Sequence, residues 1–396
     1  MPSTGLVSDE HGGRTVMPGG EVSGLCLAHG GDVSQPSGGT DRVTALAAGL
    51  QEDGFDVSLV VPEPDAALPS RLDGVDVHPV ETSRLGVSNA LTRAETVASI
   101  GRRVARERSA ILQLEHSTLA GIGTLRGCDG YVLDMHDIGF ARFDHVDSPA
   151  APALKCGLAW LERRAIDRAA HVLAVSEYMC RTLREEWGVA DDRITVVPNG
   201  YFPERIEGCG DGETIPGRVC FLGTLHPKVD IETLEMIARS PAVSELVIVG
   251  DGAQRSRVDE LATEVDSVRA TGRLPDTEAF ELMARARVLV NPQTDSELQR
   301  SSSPVKLYYY AALGKAMVVT EGPSVVDKLV SARAAKGVSS RRSFVSAVEE
   351  LLDSPDARRE LTRNARRLAK EFTWEERTRD LAAMYRELEE DRVFEG

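Results

Sequence analysis

Two successive blocks of alternating strands and helices constrain the fold of this 396-residue chain most strongly. In the first block, the apolar runs at 22–29 and 57–61 flank a helical pattern at 41–52, which is typical of one β-α-β unit. The alternation stops at a polar, glycine-rich stretch, residues 203–217, and starts again at residue 218. The sequence therefore predicts an α/β fold with two Rossmann-like, doubly wound domains that face each other across a cleft.

Shifts in composition predict where these domains begin and end. We expect a flexible N-terminal tail at residues 1–20 and a first Rossmann-like domain at 21–202. A linker at 203–217 leads to a second Rossmann-like domain at 218–371, and the last helix, 372–396, is expected to pack back on the first domain. Because ligands bind at the carboxyl ends of parallel strands, the cleft between the domains is the expected site.

The charge composition excludes one large class of proteins. The chain carries 62 acidic and 46 basic residues, a formal net charge of −16, whereas a general nucleic-acid binder needs a basic surface. Only seven of the basic residues are lysines. An excess of acid with little lysine predicts a halophilic protein that works in high salt. The alternative is the acidic bias of a GC-rich genome.

Cysteine spacing and hydropathy bear on the compartment. The six cysteines are scattered, and no pair has the close spacing of a zinc site or a redox motif, so we expect reduced thiols. No apolar run reaches the roughly 18 residues of a transmembrane helix, and the polar N-terminus lacks the core of a signal peptide. These features predict a cytoplasmic protein.

Residues 301–315, SSSPVKLYYYAALGK, predict a helix with a clear beginning and end. Ser303 is a good N-cap, and Pro304 fits the first helical position, where its missing N–H costs nothing. Gly314 can adopt the left-handed conformation that ends a helix. The sequence therefore predicts one helix whose N-terminus lies beside Ser303.

The groups at this predicted N-terminus would attract an anion. Unpaired backbone N–H groups and the positive end of the helix dipole would lie around Ser302. Arg300 and Lys306 add positive charge at the same place. This combination suits a phosphate; the alternative is an ordinary capped helix with two solvated cations.

Several segments occur in an order and spacing that resemble one enzyme family. They are Gly38-Gly39-Thr40, VLDMHD at 132–137, a block at 173–200 ending in Val-Pro-Asn-Gly, FLGTL at 221–225, VIVGDG at 247–252, GRLP at 272–275 and the helix at 301–315. Over about residues 22–390 this order resembles a retaining glycosyltransferase of the GT-B fold, of the family 4 type. The resemblance implies the fold already predicted and transfer of a sugar.

The resemblance also implies roles for individual residues. His136 would lie beside the transferred sugar, although a histidine after a buried strand could also be an interior polar group. Contacts to the donor phosphates would come from Gly38, Gly39, Lys228, Arg300, Ser302, Ser303 and Lys306. Contacts to the nucleotide and its ribose would come from Gly223, Arg273, Leu274 and Tyr309.

The chain departs from the family pattern at three positions. Thr224 stands where a cation is usual, and Ser301 and Tyr309 stand where the family has two glutamates, the second of which binds the donor ribose. Losing a charge-assisted hydrogen bond costs about 1.5–3 kcal/mol, or about 10- to 100-fold in affinity. Tyr309 could stack on the donor or donate to it; other interpretations are a lipid-phosphate sugar donor or a site that is no longer catalytic.

The leading hypothesis is a glycosyltransferase that moves a hexose-like sugar from a nucleotide diphosphate to a hydroxyl acceptor with retention. The acceptor would be a surface glycan or a lipid-linked glycan, and a lipid-linked acceptor would imply peripheral attachment at the inner membrane face. No Asp-x-Asp motif follows a strand in a metal-binding context, so we expect neither an essential metal nor a resident cofactor.

Two other hypotheses belong to different functional classes. The missing glutamates would fit a non-catalytic GT-B protein that binds a glycan or a partner. A nucleotide-sugar epimerase of the same fold would need further acidic groups in the cleft, for which Glu115, His116 and Asp137 are candidates.

Overall fold

The computed structural model describes residues 24–81, 86–141, 148–209, 213–322 and 324–390. Within these residues two parallel sheets with helices packed against both faces form two α/β domains, which confirms the predicted fold class. Four predicted segments fall outside the described residues in whole or in part: the tail at 1–20, positions 22–23 of the first apolar run, positions 210–212 of the linker and positions 391–396 of the last helix.

The first sheet contains seven described strands in the order β3-β2-β1-β4-β5-β6-β7, all parallel. They are β1 Gly24–Ala28, β2 Asp56–Pro62, β3 Asp76–Val80, β4 Ile111–Glu115, β5 Tyr131–Met135, β6 Ala169–Ala174 and β7 Ile194–Val196. The helices are α1 Gly38–Glu52, α2 Gly86–Glu107, α3 Ser117–Thr124, α4 Ala151–Arg168 and α5 Glu177–Glu185. In β1, Leu25 and Leu27 enter the core on the α1 side, and Cys26 and Ala28 enter the core on the other face.

The second sheet contains six described strands in the order β10-β9-β8-β11-β12-β13, again all parallel. They are β8 Arg218–Leu222, β9 Glu245–Val249, β10 Val268–Gly272, β11 Val288–Asn291, β12 Ala316–Thr320 and β13 Lys336–Val338. The helices are α6 Ile231–Ala238, α7 Arg255–Glu264, α8 Asp276–Ala284, α9 Glu297–Ser301, α10 Val305–Ala312, α11 Ser324–Ser331, α12 Arg341–Asp353 and α13 Pro355–Ala369. Because both faces of each sheet are covered, inner strands such as β2, β9 and β12 are nearly continuous apolar runs rather than alternating ones.

The chain returns to the first domain in its last helix, α14 Trp374–Glu390. Tyr201 and the segment before this helix are joined by two backbone hydrogen bonds, Tyr201 N to Phe372 O at 3.0 Å and Trp374 N to Tyr201 O at 3.1 Å. Helix α14 packs on α1, and a Cβ on Gly49 would lie 2.5 Å from the Thr378 hydroxyl, so glycine permits this close approach.

Strands β3 and β13 and helices α3 and α9 were not predicted. Helix α3 contains Gly121, a residue that lowers helix propensity. A Cβ at that position would lie 2.6 Å from the carbonyl oxygen of Leu161, so the glycine lets α3 pack closely on α4. Tertiary packing therefore overrides a weak local preference. Among the described residues, no helix has the length and apolarity needed to cross a bilayer.

Candidate active site between the two sheets

A cleft of about 800 Å³ lies between the two domains at the carboxyl ends of both sheets. The first domain contributes His29, Gly38, Gly39, His116, His136 and Asp137 to its wall. The second domain contributes Gly223, Lys228, Arg273, Ser302, Ser303, Lys306 and Tyr309. The structure thus gathers most of the predicted residues, which are scattered over 270 positions of sequence, around one cavity.

Two of the predicted residues do not line this cavity. Arg300 forms an ion pair with Asp295 at 2.6 Å, and its side chain is 42% exposed. Leu274 packs against the core of the second domain, and only its neighbour Arg273 faces the cavity. Neither residue lies on the cavity wall in this arrangement, and the predicted contacts of Arg300 with a phosphate and of Leu274 with the nucleotide stay predictions.

The predicted phosphate helix begins later than the sequence suggested. Residues 297–312 form two short helices, α9 and α10, and the N-cap of α10 is Pro304 instead of Ser303. The Ser303 hydroxyl cannot cap the helix because it contacts the Tyr308 hydroxyl at 2.6 Å and accepts the backbone N–H of Asn199 at 3.1 Å. Gly314 has a φ of +59°, as predicted for the residue that follows the helix.

The glycine pair of the first domain belongs to helix α1, whereas the helical pattern in the sequence was predicted to begin at residue 41. Ser37 caps α1 and accepts the backbone N–H of Thr40 at 3.2 Å, so the helix begins at Gly38. A Cβ on Gly38 would lie 3.6 Å from Cγ2 of Val305, the first residue of α10. Two helix N-termini, one from each domain, therefore face each other across the cleft, and both positive dipole ends favour an anion between them.

Lys306 lies in the first turn of α10 and brings a cation to the cavity wall. Its Nζ lies 4.3 Å from the centre of the Phe221 ring and close to Gly223, whose φ of +141° and lack of a side chain leave room for it. Burial, with a smaller effect from Lys228, lowers the pKa of Lys306 to about 7. Lys228 itself donates to the Ser302 hydroxyl at 3.3 Å.

On the opposite wall, His136 lies over a buried cluster of charged groups. Its Nε2 is 2.8 Å from a carboxylate oxygen of Glu115 and 3.6 Å from one of Asp134. Arg42 donates from Nε and Nη2 to the two oxygens of Asp134, at 2.7 and 2.8 Å. Burial opposes the charged imidazole, but the hydrogen bonds and charges of Asp134 and Glu115 outweigh it and raise the pKa of His136 to about 9.

The pKa values of the two carboxyl groups in this cluster are shifted in opposite directions. Burial raises the pKa of Glu115, and the nearby charge of Asp134 raises it further. Burial also opposes ionisation of Asp134, but the guanidinium of Arg42 holds the pKa of Asp134 well below its usual range. Oxygen and nitrogen atoms of Glu115, Asp134 and His136 lie within 4.8 Å of one another, as in a metal site. Both oxygens of Asp134 are already bonded to a cation, so this trio does not fit a metal ion.

A strained residue lies beside His136. His116 has a φ of +83°, which is unfavourable for any residue with a side chain. Its Nδ1 accepts the backbone N–H of Thr118 at 3.4 Å, and its Nε2 lies 3.4 Å from a carboxylate oxygen of Asp137. His116 and Asp137 line the cavity, so strain is held where a ligand would bind.

Tyr309 reaches the cavity with its ring, but its hydroxyl is already engaged. The hydroxyl accepts the backbone N–H of Phe202 at 3.4 Å and lies 3.5 Å from Arg205. Arg205 in turn binds both carboxylate oxygens of Asp41, at 2.6 and 2.7 Å, and these two residues also line the cavity. Sequence analysis missed this pair because Asp41 looked like an ordinary helix residue and Arg205 lay in the predicted linker.

Further hydrogen bonds join the two domains around the cleft. The side chain of Asn199 donates to the carbonyl oxygen of Ser303 at 2.8 Å, and the Ser176 hydroxyl donates to that of Ser301 at 3.0 Å. Arg273 donates to the carbonyl oxygen of Pro36 at 2.9 Å. The Val-Pro-Asn-Gly motif and the residues before α10 therefore hold the two walls together.

Comparisons with known proteins agree with this architecture. A family model described as "Glycosyl transferase 4-like domain" matches residues 37–200, and one described as "Glycosyl transferase-like" matches residues 231–383. A 2-deoxystreptamine glucosyltransferase of Streptomyces kanamyceticus is 28% identical over 160 residues, which cover 36% of this chain and 41% of that protein.

Solved structures share the fold at low sequence identity. Sucrose-phosphate synthase of Thermosynechococcus elongatus superposes with a TM-score of 0.75 at 17% identity, over 92% of this chain and 99% of that one. The Anabaena protein HepE, solved in complex with UDP-glucose, superposes with a TM-score of 0.67 at 16% identity, over 93% of this chain and 100% of that one.

Proposed function

The chain belongs to the group 1 glycosyltransferases of the GT-B fold and family 4 type, and we propose that it transfers a hexose-like sugar from a nucleotide-diphosphate sugar to a hydroxyl group with retention. The observation that carries this proposal is the meeting of two helix N-termini and Lys306 across one cleft. A diphosphate matches these groups because it brings two negative charges to backbone donors, dipole ends and a cation.

Different residues of the cleft would contact the two parts of the donor, the leaving diphosphate and the sugar. As the bond between sugar and diphosphate breaks, negative charge grows on the leaving diphosphate. Lys306, Lys228 and the first turn of α10 would stabilise that charge, because they lie on the second wall. His136 lies on the opposite wall and would contact the sugar, and the first turn of α1 would approach both the sugar and the diphosphate. A phosphate oxygen of the donor would help to deprotonate the acceptor, so no protein nucleophile is assigned.

The nucleotide would bind beside the second domain. Arg273 and Tyr309 line that end of the cleft, together with the pair formed by Arg205 and Asp41. UDP-glucose bound to the Anabaena relative supports a nucleotide sugar as donor. The 2-deoxystreptamine glucosyltransferase of Streptomyces supports a hexose as the transferred sugar. We propose a glycan or lipid-linked glycan as acceptor, in a cytoplasmic protein.

Calorimetry with nucleotide diphosphates and a panel of nucleotide sugars, in molar salt, tests the donor. We expect one class of nucleotide sugar to bind, and its nucleotide diphosphate to compete with it. Absence of heat with every donor would contradict the proposal and favour a non-catalytic glycan- or partner-binding protein.

Product analysis separates the remaining alternatives. Incubation with the donor that binds and candidate acceptors should give a glycoside with the anomeric configuration of the donor, as read by proton NMR. Conversion of the donor to an epimer without any acceptor would indicate the epimerase instead.

We also propose that transfer needs no metal ion, since the helix N-termini and lysines supply the positive charge. Activity should survive dialysis against EDTA. Complete loss of activity that manganese restores would refute this part of the proposal.

A further inference from the structure

A chain of buried hydrogen bonds runs from the C-terminal helix to His136. Tyr385 on α14 donates to the side-chain oxygen of Gln113, and the Gln113 amide donates to Oε1 of Glu115. Oε2 of Glu115 lies 2.8 Å from Nε2 of His136. Gln113, Glu115 and Tyr385 are all at most 1% exposed, so water does not compete for these bonds. The ring of His136 is therefore held by groups that do not themselves line the cleft.

The net charge of this cluster is zero only when the pair formed by Glu115 and His136 carries one proton more than a carboxylate and a neutral imidazole do. Arg42 and Asp134 neutralise each other through two hydrogen bonds. A carboxylate on Glu115 beside a neutral His136 would leave one net negative charge on carboxyl groups that are buried away from water, which is costly. With one shared proton, either His136 is an imidazolium, or Glu115 is a neutral acid that donates to Nε2.

Both arrangements place a hydrogen on Nδ1 of His136. An imidazolium carries hydrogen on both ring nitrogens, and a neutral ring that accepts at Nε2 must carry its hydrogen on Nδ1. Nδ1 lies 3.5 Å from the position that a Cβ on Gly39 would take, and Gly39 and His136 both line the cleft. This nitrogen therefore lies beside the first turn of α1.

We infer that Glu115, Gln113 and Tyr385 are positioning residues that make His136 a hydrogen-bond donor toward the cleft. His136 then binds an oxygen lone pair of the donor substrate and does not take the proton of the acceptor hydroxyl. The identity of that oxygen rests on the proposed function, whereas the protonation of the ring can be measured without any substrate.

The other ionisable groups around His136 support this assignment. The rings of His29 and His116 lie 6.4 and 5.9 Å from that of His136, centre to centre. Burial and, secondarily, the charge of His136 lower the pKa of His29 to about 3, so His29 stays neutral at pH 7. Glu115 and Asp134 are the carboxyl groups in contact with the ring, and their effect raises the His136 pKa, as described above.

Nitrogen-15 NMR of protein labelled at histidine tests the inference directly, because protonated and unprotonated ring nitrogens resonate in separate ranges. A His136→Gln variant identifies the His136 signals by their loss. We expect Nδ1 of His136 to be protonated at pH 7 in the wild-type protein without any substrate. An unprotonated Nδ1 would overturn the inference, and the result does not depend on whether the protein transfers sugar.

Two variants test the positioning chain. Glu115→Gln should lower the pKa of His136 by about 1–3 units, since it removes a carboxylate at hydrogen-bond distance. Tyr385→Phe should lower it less but in the same direction. Tyr131→Phe is the matched control, because Tyr131 is equally buried and donates to the Ala165 carbonyl at 2.7 Å, away from the cluster. Equal His136 titrations in Tyr385→Phe and Tyr131→Phe would show that Tyr385 only packs.

Discussion

The two walls of the cleft handle charge in opposite ways. On the first wall, Arg42, Asp134, Glu115 and His136 are bonded to one another beneath the surface, so their charges are balanced without a ligand. On the second wall, Lys306 has no anionic partner within the part of the chain that the structure describes, and Lys228 and burial disfavour its charge. The first wall is therefore a preformed frame, whereas the second is stabilised when an anion binds.

The largest effect should come from breaking the balanced wall. Arg42→Ala leaves Asp134 buried without its cation, which should cost about 3–5 kcal/mol of unfolding free energy, measured by urea denaturation. Arg386→Ala is the control, because Arg386 pairs with Asp53 at the surface and such pairs contribute about 1 kcal/mol or less. Similar losses in both variants would mean that the buried cluster is not a stabilised unit.

Removing the cation of the other wall should spare the fold and impair binding. Lys306→Gln should weaken the binding of a nucleotide diphosphate by about 10- to 100-fold, because a charge-assisted contact is lost. The midpoint of urea unfolding should not fall, since burying the ammonium disfavours its charge in the free protein. Lys328→Gln, which removes a surface lysine paired with Glu371, should leave affinity unchanged. Calorimetry measures the affinity of both variants for the nucleotide diphosphate, and equal affinities would show that Lys306 does not contribute to the binding site.

The two walls should also differ in their response to pH. The pKa of Lys306 is about 7 in the free protein, and a bound diphosphate should raise it, so binding above pH 7 takes up a proton. Affinity should be greatest below pH 7 and fall by up to about tenfold per unit above it, until the pKa of the complex is reached. His136, with a pKa of about 9, should contribute little below pH 8. Calorimetry in buffers of different ionisation enthalpy measures the proton uptake. An affinity that does not change with pH would contradict proton uptake on binding. A Lys306→Gln variant whose affinity still falls with pH as in the wild type would show that Lys306 is not the group that takes up the proton.

The smallest effect is expected where a glycine leaves space between the walls. Gly39→Ala places a methyl group 3.5 Å from Nδ1 of His136, an ordinary contact, so the fold should tolerate it. The methyl group takes space from a sugar, and the KM for the donor should rise by up to about tenfold while the affinity for nucleotide diphosphate alone stays the same. Gly157→Ala in α4, where no atom lies within 4 Å, is the control. A loss of nucleotide diphosphate affinity equal to the rise in KM would show that the added methyl group displaces the phosphates and not the sugar.

The sequence predicted the fold better than the site. The apolar run at 57–61 predicted β2 to within one residue at each end, and the helical pattern at 41–52 ended at the observed end of α1, since apolar period and length identify such elements locally. Helix ends were less predictable where side chains had distant partners. Ser303 has the chemistry of an N-cap, but Asn199, 104 positions away in sequence, binds its hydroxyl. No local pattern contains that contact.

Tyr309 shows the same limit at a functional position. The family resemblance identified it as standing where a ribose-binding glutamate is usual, and the expectation was that Tyr309 would stack on the donor or donate to it. In the fold, the ring packs 4.7 Å from that of Phe280, and the hydroxyl bonds to Phe202 and Arg205. Tyr309 lines the cleft, but its hydroxyl is hydrogen-bonded within the protein.

The sequence by itself determined two parallel α/β domains, the cleft between them and the presence of Lys306 and His136 in it, because strand periodicity and segment order are local properties of the chain. Only the tertiary structure decided how those groups are charged. Glu115 and Asp134 lie on neighbouring strands, and Arg42 reaches them from α1. The protonation of His136 depends on these distances and on exclusion of water, which arise only when distant segments pack together.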